Sequence, residues 1–133
     1  MTTRKEAKKA ETEKFLAYVK SAIDEAHMAA AKAANEFVAS IKLDKDGMVA
    51  DICGSASVLV YKPSYRLREA LKQLDEVQKW HGGGWNISHF WKDVPSVACQ
   101  SITAHERACG AARKIFEARF PGEGEFFAPA RVD

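Results

Sequence analysis

The chain has 133 residues, 47% hydrophobic and 29% charged, the balance of a folded globular domain, which excludes disorder through lack of apolar side chains. Twenty Lys and Arg against 18 Asp and Glu leave a formal net charge of +2, so nucleic-acid binding would need a local patch rather than the whole surface. The polar start MTTRKEAKKAETEKF lacks the apolar stretch of a signal peptide, and no run approaches the roughly 18 apolar residues of a membrane span.

In chain order, the first element expected is a helix from about Arg4 to Ile41, rich in Ala and free of Gly and Pro. Thr3 and Glu6 have the spacing of a capping box, while Arg4, Lys5, Lys8 and Lys9 oppose the helix dipole and should fray the first two turns. Leu16, Val19, Ile23, Ala26, Ala30, Ala33 and Phe37 form a heptad seam of small and branched side chains. Such a helix would span roughly 57 Å, about twice the width of a domain built from the remaining residues. Two outcomes follow: self-association along the seam, or a helix that bends and packs across its own sheet. Residues 1–42 are therefore expected as a helical arm and 43–133 as a compact domain.

Asp46-Gly47 is a turn signal, after which Met48 to Lys62 reads as extended and Lys62-Pro63 ends the strand. Ile52, Gly54, Ala56, Val58 and Val60 share one face; Cys53, Ser55, Ser57, Leu59 and Tyr61 share the other. Ser64 caps a helix expected to run to about Trp80, where His81-Gly82-Gly83-Gly84 stops it. Trp85 to Trp91 alternates as a strand. A helix from about Ser101 to Phe120 ends at Pro121-Gly122, and Glu125 to Val132 closes the sheet. The class expected is α+β: a long N-terminal helix, then a strand-helix-strand-helix-strand domain on a small three-stranded sheet.

Candidate chemistry is sparse. Three cysteines, Cys53, Cys99 and Cys109, cannot all pair within one chain and fit no zinc-finger spacing. His105 and Cys109 share a helix face but lack further ligands, so neither metal nor cofactor is expected. Cys53 would act as a nucleophile only beside a base such as His81 or His89; inert packing is the plainer reading. The surface signal is Tyr61, Lys62, Tyr65, Arg66 and Arg68, aromatics interleaved with cations that can stack bases and hold phosphates. Phe90 is opposite in phase to Trp85 and Trp91, so one of these faces is a candidate protein contact. Arg131 and Asp133 are expected as a fixed charge cluster, because an apolar strand runs almost to the last residue.

From about Asp51 to Asp133 the chain resembles a family of small bacteriophage and prophage proteins. The resemblance rests on ICGSASVLV, the KP after it, GGGWNIS, and CQSITAHERACGAARKIFE running into ARVD, with matching positions Cys53, Gly54, Gly83, Gly84, Gln100, Ser101, Arg131 and Asp133. The family strand often carries an aromatic soon after Cys-Gly, where this chain has Ser55, Ala56 and Ser57, and the long helix lies outside the resemblance. It implies a setting in the bacterial cytoplasm and action by binding a macromolecule. The reading from sequence is thus a non-enzymatic binding protein that self-associates through its helix and engages a protein partner. A nucleic-acid-binding accessory protein and a cysteine-dependent enzyme are the alternatives.

Overall fold

The computed structural model describes residues 3–133. Helix α1 (Arg4–Ala39) opens with the expected capping box: the Thr3 hydroxyl accepts from the Glu6 amide at 3.1 Å, and the Glu6 carboxylate accepts from the Thr3 amide at 3.3 Å. These bonds satisfy two orphan amides and start the helix at Arg4 despite its basic first turns. Its fully buried positions are Val19, Ala22, Ala26, Ala30 and Ala34, mostly four residues apart. They pack along α3 (Ile102–Arg119), which presents Ala104, Ala108 and Ala112, also fully buried. Alanine facing alanine lets the two backbones approach closely. The seam is thus covered by a helix of the same chain rather than by the sheet, and Arg119 near the end of α3 pairs with Glu25 of α1. Residues 4–14 stay exposed.

The α+β class and the leading helix are as expected, but the strands are shorter, more numerous and spread over two sheets. They are β1 (Gly54–Ala56), β2 (Leu59–Tyr61), β3 (Gln78–Trp80), β4 (Gly84–Asn86), β5 (Glu125–Phe127) and β6 (Ala130–Val132). One sheet has the order β3-β4-β2-β5, and β1 pairs with β6, all antiparallel. The two sheets share one register. In every pair of the β1–β6 and β2–β5 ladders the residue numbers add to 186, from Gly54 with Val132 to Tyr61 with Glu125. The interruption falls where Ser57 donates to the Pro129 carbonyl at 3.1 Å, and Pro129 has no amide to return the bond. Asp133 extends the same ladder by donating to the Cys53 carbonyl at 3.0 Å. The stretches expected as extended, Met48 to Lys62 and Glu125 to Val132, thus pair with each other from Cys53 to Tyr61, split by one missing donor.

Val58, Val60 and Phe126 face inward onto Phe116, with Phe116 and Phe126 stacked at 5.9 Å between ring centres. Helix α2 (Tyr65–Leu71) is capped by Ser64, whose hydroxyl accepts from the Leu67 amide, and buries Leu67, Ala70 and Leu71. It stops nine residues before the expected Trp80, because Gln78–Trp80 is taken up as β3 by pairing with β4. Gly82 and Gly83, both at positive φ (70° and 82°), make the turn between them. The expected strand at 85–91 keeps only its first residues; Phe90–Asp93 winds into a 3-10 turn. Among the described residues no helix is long and apolar enough to cross a membrane.

Candidate functional site

Three distant segments meet at the start of α3. Ser101 caps the helix: its hydroxyl accepts from the Ala104 amide at 3.1 Å and donates to Asp51 at 2.6 Å. Asp51 also accepts from the Thr103 amide at 3.0 Å. These bonds, Ser101 foremost, hold the Asp51 carboxyl down at about 2. The Gly54 amide donates to the Gln100 carbonyl at 3.0 Å, and the Cys53 thiol donates to the Gln100 side chain at 3.4 Å. A Cβ on Gly54 would lie 2.6 Å from the Arg131 carbonyl oxygen and 2.8 Å from Ile102, so only glycine fits there. Cys53, Gly54, Gln100, Ser101, Arg131 and Asp133, far apart in sequence, thus form one joint between the β1–β6 ribbon and α3.

A polar chain crosses beside this joint. His27 of α1 bonds Asp93 through Nδ1 at 2.5 Å and Ser88 through Nε2 at 2.9 Å. Ser88 lies 2.6 Å from Glu76, which also accepts from Lys92 at 2.6 Å. Asp93, His27 and Ser88 have the connectivity of a catalytic triad, but the protons run the wrong way. Lys92 and then Ser88 hold Glu76 down at about 2, so it is an acceptor and takes the single hydroxyl proton of Ser88. Ser88 then has no proton left to give His27 Nε2, which is the opposite of what nucleophile activation requires. Ser88 is also buried, at 2% exposure. The chain of bonds fastens residues 76, 88, 92 and 93 to α1.

Its consequence is a cleft. Ile87 still pairs with β2, its amide donating to the Val58 carbonyl at 3.1 Å, but at Ser88 the chain turns toward His27 and leaves the sheet. The place beside β1 is vacated. An open cleft of about 470 Å³ remains there, walled by Gly54–Ser57, by Ser88–Trp91 and by Cys99 and Gln100. Asn86 and His105, 7% and 4% exposed, line it. His105 donates through Nε2 to the Cys99 carbonyl at 2.8 Å, and among the described residues neither its Nδ1 nor Asn86 Oδ1, both sealed from solvent, has a partner. Trp91, 62% exposed, stands on the rim.

The other expected site residues lie elsewhere. Arg66 makes two bonds to Glu123, at 2.6 and 2.9 Å, and its guanidinium sits 4.1 Å from the centre of the Phe15 ring. Arg66 in turn lowers the Glu123 carboxyl. Lys62 lies 3.8 Å from Glu125, and Arg68 lies 3.7 Å from Glu69 and over Tyr65. Tyr61 lays its ring on Gly84 and donates to the His81 carbonyl at 3.1 Å. The patch is therefore largely neutralised, by the distant Glu123 and Glu125 and by the adjacent Glu69, and Tyr65 is its exposed ring. Phe90 is a correction: it is buried at 2%, against His27 and Phe116, so the exposed ring of that segment is Trp91. Missed from sequence were Lys5, Lys8 and Lys9, which make no ion pair among the described residues and face Tyr65 across a groove between α1 and α2. Their spacing of three and four was the available signal.

Cys109 is fully buried, and desolvation pushes its thiol up to about 12. Among the described residues no three His, Cys, Asp or Glu side chains converge as a metal ion requires. Cys53 has the Gln100 amide as its hydrogen-bond partner rather than a histidine. No protein-family model, curated protein or solved structure matches the chain.

Proposed function

We propose that the chain is a non-enzymatic accessory protein of phage or prophage type that acts in the bacterial cytoplasm by binding a protein, using the cleft beside β1. One observation carries this reading: an open cleft lined by Asn86 and His105, each with one buried side-chain atom left unpartnered among the described residues, has an exposed tryptophan on its rim. Tryptophan is among the residue types enriched at the hot spots of such contacts. The phage setting rests on the resemblance of residues 51–133, six of whose motif positions meet in the joint that walls the cleft.

The test is co-purification from bacterial host cells, read by quantitative mass spectrometry, with tagged wild type, Trp91→Ser and Tyr65→Ser. A protein lost with Trp91→Ser and retained with Tyr65→Ser supports the reading. Equal recovery with all three removes it.

A nucleic-acid role is the second reading, favoured by Lys5, Lys8 and Lys9, which make no ion pair among the described residues, beside exposed Tyr65. It requires affinity for a single-stranded oligonucleotide that falls steeply with salt and is lost when the three lysines become glutamine. Self-association through α1 would use residues 4–14, since α3 covers the stripe from Val19 to Ala34. Light scattering of the full chain beside one lacking these residues reads it directly.

A further inference from the structure

We infer that the cleft takes an extended polypeptide segment, which adds as a short strand to the free edge of β1; this rests on the protein-binding reading above. The backbone decides it. In an antiparallel ladder, alternate residues turn their amide and carbonyl toward the partner strand and the others turn them away. Cys53, Ser57 and, by alternation, Ser55 bond to β6 and its flanks, since Asp133 donates to Cys53 and Ser57 donates to Pro129. Gly54 and Ala56 therefore point their backbone groups the other way, into the cleft. The Gly54 amide is taken by the Gln100 carbonyl. Among the described residues the Gly54 carbonyl and both backbone groups of Ala56 have no backbone partner.

This gap follows from the polar chain described above. Had β4 continued in register, His89 would lie opposite Ala56, because Leu59 pairs with Asn86 and Val60 with Trp85. Ser88 is instead drawn to His27 and Glu76, and the strand ends. The open edge is thus flanked by Gln100 at one end and Ile87 at the other, room for a few residues of extended chain.

The lining selects the occupant. It contains no lysine or arginine and includes Asp133, so a phosphate backbone would meet no cation there. A peptide strand supplies an amide and a carbonyl in the spacing that Gly54 and Ala56 present, as in other cases of strand addition. Side chains of the added strand alternate, and one of them faces the wall that holds Asn86 and His105. A neighbouring side chain packs on Trp91.

The first test needs no ligand. In the free protein the Ala56 amide should exchange with solvent at least about tenfold faster than the Ser57 and Asp133 amides on the ladder, measured by NMR. Equal protection at Ala56 would mean the edge is closed and overturns the proposal. The second uses a display library of seven-residue peptides selected on the full chain. Winners should bind about tenfold or more weakly to Ala56→Pro and when N-methylated at alternate positions. Proline suits an edge residue whose amide faces outward, so Ala56→Pro should still fold; if it does not, the N-methyl series carries the test. Peptides weakened by Trp91→Ser but indifferent to Ala56→Pro and to N-methylation overturn strand addition and leave the protein-binding cleft standing. Peptides indifferent to all three, or no peptide selected, overturn both.

Discussion

His27 Nε2 and Ser88 Oγ meet at 2.9 Å across 61 positions of sequence, and this bond takes the chain out of the sheet where β4 ends. His27→Leu would leave Asp93, with a side chain only 16% exposed, and Ser88 without their shared hydrogen-bond partner. The expected loss is about 2–4 kcal/mol of unfolding free energy. His27→Gln, which keeps one donor, should lose less. Urea unfolding of the two variants beside wild type measures it, and equal stability in all three would contradict the network.

Gly84 and Tyr61 are matched in size. A Cβ on Gly84 would lie 2.6 Å from the Tyr61 ring, so Gly84→Ala should destabilise by about 1–3 kcal/mol. Tyr61→Ala removes the obstacle and also a half-buried ring. In a double-mutant cycle the combined change should cost less than the sum of the two singles. Additive costs would mean that the ring does not hold this place.

Asp51 and Glu76 make stability fall in acid. Both carboxyls sit at about 2 in the fold, against ordinary values of 3.8 and 4.5. As pH drops, the unfolded chain takes up these protons first. The contribution is therefore whole above about pH 4.5 and is lost progressively toward pH 2. Solvent screens both groups, so the effect of each is modest. The urea midpoint of Asp51→Asn/Glu76→Gln should decline less between those pH values than that of wild type; an unchanged slope would sink the assignment.

The three thiols should separate by burial. Cys53 and Cys99 are exposed, whereas Cys109 is buried, with its thiol pushed up to about 12. Iodoacetamide at neutral pH should add two groups to the native chain and three in denaturant, counted by mass spectrometry. Modification of Cys109 at the rate of the others would show that α3 does not seal against α1.

Much of the fold is local and so was legible. The Thr3–Glu6 capping box, the Ser64 and Ser101 caps and the glycine turn at 82–84 depend on residues within a few positions of one another, where side-chain chemistry acts directly on the backbone. Alternation also separated Val58 and Val60 from Leu59 and Tyr61 correctly, because a strand has a fixed period of two.

What the sequence could not rank was competition between distant partners. The alanine stripe of α1 suited a second chain, or the sheet, as well as α3, since small side chains specify closeness without identity. Arg66 read as a free cation because Glu123 lies 57 positions away. Phe90 read as a strand residue with a surface option, until the pull of His27 on Ser88 ended β4 and the next turn carried the ring into the core. Amino-acid sequence alone determined the two long helices, the helix caps and the glycine and proline breaks, through chemistry acting within a few residues. Only the tertiary structure decided which faces and charges are spent inside the molecule, and left the edge of β1 open, because each of those outcomes depends on bonds closed across half the chain.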